Sequence, residues 1–376
     1  LTKTALIVVG TRPEAIKLAP VHQALRQHGE FRVELLSTGQ HREMLASALD
    51  VFALAPDHNL DLMREGQQQA ELVGAMLPAI SAVLAKRQPD CVIVQGDTCS
   101  TFVGALAGFI HKTMVVHVEA GLRTGDKFSP YPEEMYRRMT ADLADLHCAP
   151  TERARENLLR EGVPAERIFV TGNTAVDALR MALQRPMEQT SLADNPGLLE
   201  LLTTPFVLIT CHRRESFGED MEGMMRALSS LAARHPSLSF IFPVHLNPNV
   251  REVVQRHLAG HDNIQLLPPL DYAAFVHLLD RSLFVMTDSG GIQEECADLG
   301  KPVLVLRRVT ERGEGVAAGP AILVGVDAQK IEEAAERLVT DPDFYRSHAV
   351  PAHVYGDGHA ATRIAALIAQ HLGETR

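Results

Sequence analysis

Several acidic side chains stand where short apolar runs stop. Glu119 follows MVVHV (114–118), Asp97 follows a run that ends at Gln95-Gly96, and Glu133 follows Pro-Tyr-Pro (130–132) at the start of an amphipathic stretch. A carboxylate leaving a buried strand is partly desolvated, which suits it to acid–base work. Glu133 instead opens a helix, whose dipole favours negative charge. Two carboxylates in opposed environments can divide acid and base roles. The same spacings permit plainer roles. Asp97 occupies an N-cap position ahead of Phe102, Val103 and Leu106, and Glu133–Arg137 and Glu134–Arg138 are i,i+4 pairs. Met135, Met139, Leu143 and Leu146 predict the apolar face of the helix behind Glu133.

A second group of residues offers cations and backbone donors. In GTRPEAIKLAP (10–20), Thr11 and Glu14 form a capping box, and Pro13 suits the first helical turn. Arg12 and Lys17 add positive charge to a helix start that can already meet an anion. Lys17 lies about 9 Å along the axis from Thr11 and leans back toward the N-terminus. The alternative is a capped helix with two solvated cations. TCHRRESFG (210–218) places His212 after a run, followed by Arg213 and Arg214, and PVHLNP (243–248) does the same for His245. The plainer reading of either histidine is a hydrogen-bonded structural imidazole, while His212, set among arginines, is alternatively largely neutral or a partner for phosphate.

The most specific local signal is TDSGGIQEE (287–295), in which a strand ends, Ser289-Gly290-Gly291 turns and a helix begins. Glycines let the backbone approach a phosphate, and the helix start supplies N–H donors. Glu294 and Glu295 either complement the dipole or grip a ribose diol. The turn matches neither the dinucleotide fingerprint nor a Walker A loop, so neither NAD nor ATP is implied. No H-E-x-x-H, nucleophile elbow or zinc spacing occurs, so no metal or cofactor is expected.

Positioning these residues requires a scaffold of buried strands. Runs of four to seven apolar residues alternate with amphipathic stretches, the pattern of βα units and a parallel sheet. Strands are expected at 5–9, 91–95, 114–118, 206–210, 240–243, 283–287 and 303–306. Segment 185–205 reads as a surface connection, and a strand-like IFVTG ends near Phe169 to Gly172 at the domain boundary. The 376 residues suit two domains, read here as two α/β halves with a cleft between them. Ligands in such sheets bind beyond the C-terminal strand ends, where the chemistry-bearing residues cluster.

Composition narrows the function further. The net charge of -11 argues against nonspecific nucleic-acid binding. Cys91, Cys99, Cys148, Cys211 and Cys296 are scattered and form no C-x-x-C pair, which favours a reducing, cytoplasmic setting. No apolar run is long enough to span a bilayer, and LTKTALIVVG does not read as a signal peptide.

Assembled in order, GTRPEAIKLAP, TGQHREML, GDTCSTF, HVEAGLRTGD, PYPEE, TGNTAVDAL, HRRESFG, PVHLNPNVR, TDSGGIQEE and YGDG (355–358) cover nearly the whole chain. This chain resembles the bacterial UDP-N-acetylglucosamine 2-epimerases of the non-hydrolysing type. The resemblance implies an α/β fold of two Rossmann-like domains of GT-B type, 1–169 with 356–376 and 170–355, whose C-terminal helix crosses back onto the first domain. It implies reversible conversion of UDP-GlcNAc to UDP-ManNAc, by elimination of UDP to a 2-acetamidoglucal and re-addition. Asp97, Glu119, Glu133 and His212 match the family's catalytic positions. Arg12, Lys17, Phe275, Ser289, Gly290, Gly291 and Glu295 match its substrate-binding positions. Gln40, His41, Arg213 and His245 match those of a second, activating UDP-GlcNAc, and the family is typically a homodimer. Four departures stand out: Glu43 for Gln, Gly66 for Arg, Gln95 for His, and Gly313 for Pro after Thr-Glu-Arg (310–312).

Overall fold

The computed structural model describes residues 2–39, 42–64, 66–194, 196–213 and 216–374. The chain forms two compact units, Leu1–Met181 with Gly356–Arg376, and Ala182–Tyr355. The division falls inside the helix Thr174–Leu183.

The first unit is built on seven strands: β1 (Lys3–Val9), β2 (Phe31–Ser37), β3 (His58–Asn59), β4 (Cys91–Gln95), β5 (Met114–Val118), β6 (Leu146–Ala149) and β7 (Ile168–Val170). They pair in parallel in the order β3-β2-β1-β4-β5-β6-β7. The second unit has six: β8 (Phe206–Thr210), β9 (Ser239–Pro243), β10 (Ile264–Leu267), β11 (Phe284–Thr287), β12 (Val303–Val305) and β13 (Ala321–Leu323). Their parallel order is β10-β9-β8-β11-β12-β13. Both sheets therefore reverse their winding beside their first strand, at β1/β4 and at β8/β11. Such a reversal opens a crevice at the carboxyl ends of the strands.

The expected strands form because their apolar residues are covered on both faces. β4 and β8 are buried along their whole length. Phe206, Phe240, Phe242 and Phe284 are the largest fully buried side chains of the second unit. β2 was not expected, because FRVELLS carries Arg32 and Glu34 inside the run. Tertiary pairing resolves the conflict: buried Glu34 meets Arg87, Arg32 (2.9 Å) and His58 (2.9 Å). The Arg87 hydrogen bond is the main cause that holds the Glu34 carboxyl down to about 2. β3, β6, β10 and β13 were also missed, being two to four residues long.

Two expectations need correction. The helix behind Glu133 runs Glu133–Leu143, and Leu146 opens β6 instead of extending the helical face. The Asp145 N–H bonds the Val115 carbonyl at 2.9 Å and its carboxylate takes the Val115 N–H at 2.9 Å, which pulls the chain into the sheet. Segment 185–205 is not merely a surface connection. Leu192 and Leu198 are buried, the Ser191 N–H donates to Asp271 at 2.7 Å, and the Arg185 carbonyl bonds His277 at 2.8 Å.

The C-terminal helix Ala360–Glu374 returns to the first unit and packs on the helix Arg12–His28. Ile364, Ala365 and Ile368 are buried, and Lys3 Nζ donates to the Ala369 carbonyl at 3.2 Å. Asp177 caps the return helix through the N–H groups of Ala360 (3.3 Å) and Ala361 (2.9 Å). All five cysteines are free and buried. No helix among the described residues is long and apolar enough to cross a membrane.

Candidate active site

In the first unit, two of the candidate acids stand at adjacent strand tips. β4 and β5 pair with Gln95 opposite Val118, and the Gly96 N–H bonds the Val118 carbonyl at 3.0 Å. Asp97 and Glu119 therefore leave neighbouring strands. Glu119 is only 8% exposed and adopts φ +64, a left-handed conformation uncommon for a non-glycine residue. Such strain persists only where surrounding contacts over-determine it. The contacts here are Lys17 Nζ, 2.6 Å from Glu119 Oε2, and the Gln95 side-chain amide on the same oxygen. Lys17 thus reaches the strand end, as its place in the helix Arg12–His28 predicted. Glu119 is no lone carboxylate: it comes with a cation and a neutral donor. Gln95, read as a departure from the family pattern, is that donor.

Asp97 is not the cap of the following helix. Thr98 is, its side chain accepting the Thr101 N–H at 3.2 Å. The Asp97 carboxylate instead meets the guanidinium of Arg137, which also lies 3.3 Å from Glu134. Glu134 is fully buried and takes the N–H groups of Thr124 (3.2 Å) and Gly125 (3.3 Å). The expected Glu134–Arg138 pair does not form, since Arg138 turns to Glu161 at 3.5 Å. Burial selects between the two arginines: the one facing inward neutralises the inward acids. Glu133, one residue earlier, is half-buried at the helix start.

Behind these tips, Glu14 forms the expected capping box and does more than cap. Its carboxylate collects five donors: the Gly10 and Thr11 N–H groups, and the hydroxyls of Thr11, Thr98 and Thr101. It thereby ties together the helix starts that follow β1 and β4. Burial pushes its pKa up, against the pull of those donors. Arg12 sits half-buried at the first position of its helix.

In the second unit, His212 follows β8 and Ser289 follows β11, the two strands flanking the winding reversal. The His212 and His245 rings stack at 5.5 Å with planes 15° apart. Burial first, and His212 second, lower the pKa of His245. Asp288, which the sequence reading did not single out, is wholly buried. Its Oδ2 accepts the N–H groups of His212 (2.7 Å) and Arg213 (2.8 Å). The available signal was its position, an acid directly ahead of the Ser-Gly-Gly turn.

Ser289 is the N-cap residue of the helix Gly290–Leu299, yet its side chain makes no capping bond. A Cβ on Gly291 would meet nothing within 4 Å, whereas one on Gly290 would lie 3.1 Å from the Arg312 guanidinium carbon. Gly290 thus leaves room for the close approach of Arg312, and a side chain on Gly291 would meet nothing. Arg312 is held by Glu294 (2.9 Å) and Glu311 (2.5 Å). Burial alone would raise the Glu311 pKa, but Arg312 and Arg307 hold it at about 2. Glu295 is buried and accepts the Tyr272 hydroxyl at 2.8 Å, and half-buried Phe275 lies on that tyrosine's helix, Tyr272–Arg281.

Gln40 and His41 lie outside the described residues. Gly66 (φ +73) lines a cavity of about 660 Å³ together with Asp61, Arg64 and Glu71. Among the described residues, no cluster of three His, Cys, Asp or Glu could hold a metal ion.

Residues 23–369 match the family model described as UDP-N-acetylglucosamine 2-epimerase. A Yersinia pestis protein named UDP-N-acetylglucosamine 2-epimerase is 48% identical over 370 residues, covering 97% of this chain and 98% of the relative. The chain belongs to this family. Its fold agrees with that of the Neisseria meningitidis UDP-GlcNAc 2-epimerase solved bound to UDP-GlcNAc, at a TM-score of 0.90 and 41% identity, covering 98% of this chain and all (100%) of that one. A Methanocaldococcus jannaschii family member solved with UDP-GlcNAc and UDP gives a TM-score of 0.84 at 32% identity, covering 98% and 99%. The two parallel-sheet α/β domains and the C-terminal helix that returns to the first are thus of the GT-B fold type.

Proposed function

We propose that this chain interconverts UDP-GlcNAc and UDP-ManNAc without net hydrolysis. The observation that carries the reading is the pairing of Asp97 and Glu119 on adjacent strand tips, each held by a cation, in a member of this family. The C1–O bond breaks and its electron pair leaves with UDP, while a carboxylate removes the C2 proton, giving 2-acetamidoglucal. Re-addition of UDP, with a proton delivered to the other face of C2, gives the epimer. Oxocarbenium character at C1 is stabilised by nearby carboxylates, and exchange on two faces requires a group on each. Asp97, Glu119 and Glu133 are the candidates for these groups. Lys17 keeps Glu119 oriented, and Arg12 adds charge at the helix start.

The second unit would take the nucleotide. The open helix start at Ser289, Gly290 and Gly291 supplies N–H donors for the diphosphate, with His212 beside it. Glu295 would bind the ribose and Phe275 the uracil. The family resemblance extends to activation by a second UDP-GlcNAc through Gln40, His41, Arg213 and His245, to a homodimer, and to a cytoplasmic role in supplying precursors of cell-surface polysaccharide.

Incubation with UDP-GlcNAc in D2O tests the core of this reading. The expected result is UDP-ManNAc carrying deuterium at C2. Free ManNAc as the main product identifies a hydrolysing enzyme instead, and transfer to an added acceptor identifies a glycosyltransferase. Binding without deuterium uptake leaves only a sugar-nucleotide-binding protein.

A further inference from the structure

Asp288 is placed more expensively than its anchoring role requires. Its Oδ2 alone holds the segment after β8, through the N–H groups of His212 and Arg213. An asparagine oxygen would accept the same two bonds without burying a charge. The other oxygen, Oδ1, is buried and has no hydrogen-bond partner among the described residues. A buried acceptor left so costs on the order of 1–3 kcal/mol. His212 Nδ1 lies 3.4 Å from it, on an imidazole whose side chain is 42% exposed.

Of the other groups around this pair among the described residues, only the weak Cys211 thiol competes with His212 for Asp288. The Cys211 thiol lies beside Asp288, and burial first and Asp288 second push its pKa well above the ordinary value, so it remains a weak, uncharged donor. His245 covers one face of the His212 ring, and its own Nδ1 is occupied by the Asn247 N–H at 3.1 Å. The Arg213 backbone, like that of His212, is already spent on Oδ2.

We propose that Asp288 is the positioning residue of His212: its free oxygen takes the Nδ1–H, fixes the ring and leaves Nε2 directed at the nucleotide diphosphate. A small rotation of the ring closes the 3.4 Å gap to hydrogen-bond length. The arrangement follows the logic of a carboxylate that orients a histidine and stabilises its charged form without itself taking the proton. It rests on the reading that His212 meets the diphosphate, and adds the group that makes His212 competent.

The test is a cycle of Asp288→Asn and His212→Asn, with kcat, UDP affinity and the pH profile measured for each. Asparagine keeps the backbone bonds but turns an N–H₂ toward Nδ1. Asp288→Asn is expected to lower kcat by about 10²–10⁴-fold, to leave UDP affinity within about threefold and to move the basic limb of the kcat profile. In the His212→Asn background it should change kcat by less than about threefold. Normal turnover in His212→Asn overturns the reading of His212. A loss in His212→Asn with normal turnover in Asp288→Asn overturns the present inference alone. Should Asp288→Asn not fold, ¹⁵N-histidine spectra of the native enzyme decide, with the His212 signal identified by its absence in His212→Asn. A proton on Nδ1 supports the proposal, and a ring protonated only on Nε2 sinks it.

Discussion

The strand ends of the two units are built to opposite electrostatic plans on the same topology. In the first, acids leave β4 and β5 and cations come to them from helices: Lys17 to Glu119, and Arg137 to Asp97 and Glu134. In the second, the strand ends carry two imidazoles and a helix start of Ser289 and two glycines without a side-chain cap, and the acid, Asp288, is buried behind them. One plan suits moving protons on a sugar and the other suits receiving a diphosphate. A parallel sheet fixes where ligands go, and the residues at its strand tips fix which ligands.

The comparison breaks most sharply if the acids of the first unit serve nucleotide binding and not turnover. Glu119→Gln or Asp97→Asn is expected to cut kcat by about 10²–10⁴-fold while leaving UDP affinity near normal by calorimetry. Weakened UDP binding with normal turnover would remove that acid from the proposed mechanism. Next in size is the cost of the acid plan itself. Arg137→Met strands Glu134 in the interior and leaves Asp97 without its cation, so unfolding free energy should fall by about 3–5 kcal/mol, read by urea titration. A loss under about 1 kcal/mol would mean the pair is solvated in solution.

The first unit should also be the acid-sensitive one. His117 and His147 are buried partners across β5 and β6. Burial, as the largest cause, lowers them from 6.5 to about 4 and about 3 respectively. Below pH 6.5 the unfolded chain binds protons that the folded chain refuses, so stability falls with pH and levels off near pH 4 and pH 3. His117 alone contributes on the order of 3 kcal/mol to that loss. Stability that stays flat between pH 6.5 and 4 would contradict this account.

Two smaller effects sharpen the nucleotide side. Gly290→Ala pushes a methyl toward Arg312, and UDP affinity should drop about tenfold, or about 1.4 kcal/mol, with little change in melting temperature. Gly313 is the first residue of a short helix, Gly313–Ala318, where proline fits well. Gly313→Pro should therefore stabilise the protein by about 0.4–1 kcal/mol, seen as a small rise in melting temperature. A fall would mean that the loop needs the glycine's freedom.

Much of the scaffold was legible because buried parallel strands write themselves as unbroken apolar runs. β4, β5 and β8 follow directly from CVIVQ, MVVHV and FVLIT. The capping box of Thr11 and Glu14 was equally plain, since both partners are local. What escaped were elements whose polarity is neutralised from afar, such as Glu34 in β2, and elements too short to carry a period, such as β6. The side chains of the candidate site were named from the sequence, but their partners were not. Arg137 was read with residues on its own helix, and it crosses to Asp97, forty positions away in the chain.

The sequence by itself determined the family, the alternation of strand and helix, and the residues standing at the strand ends, because each depends on residue type at short range. The tertiary structure decided the company those residues keep. Which arginine neutralises Glu134, whether Asp97 caps a helix or faces a guanidinium, and which acid stands behind His212 all turn on burial. A buried charge must find its partner in space, and spacing along the chain does not reveal which side chains the sheet brings within reach.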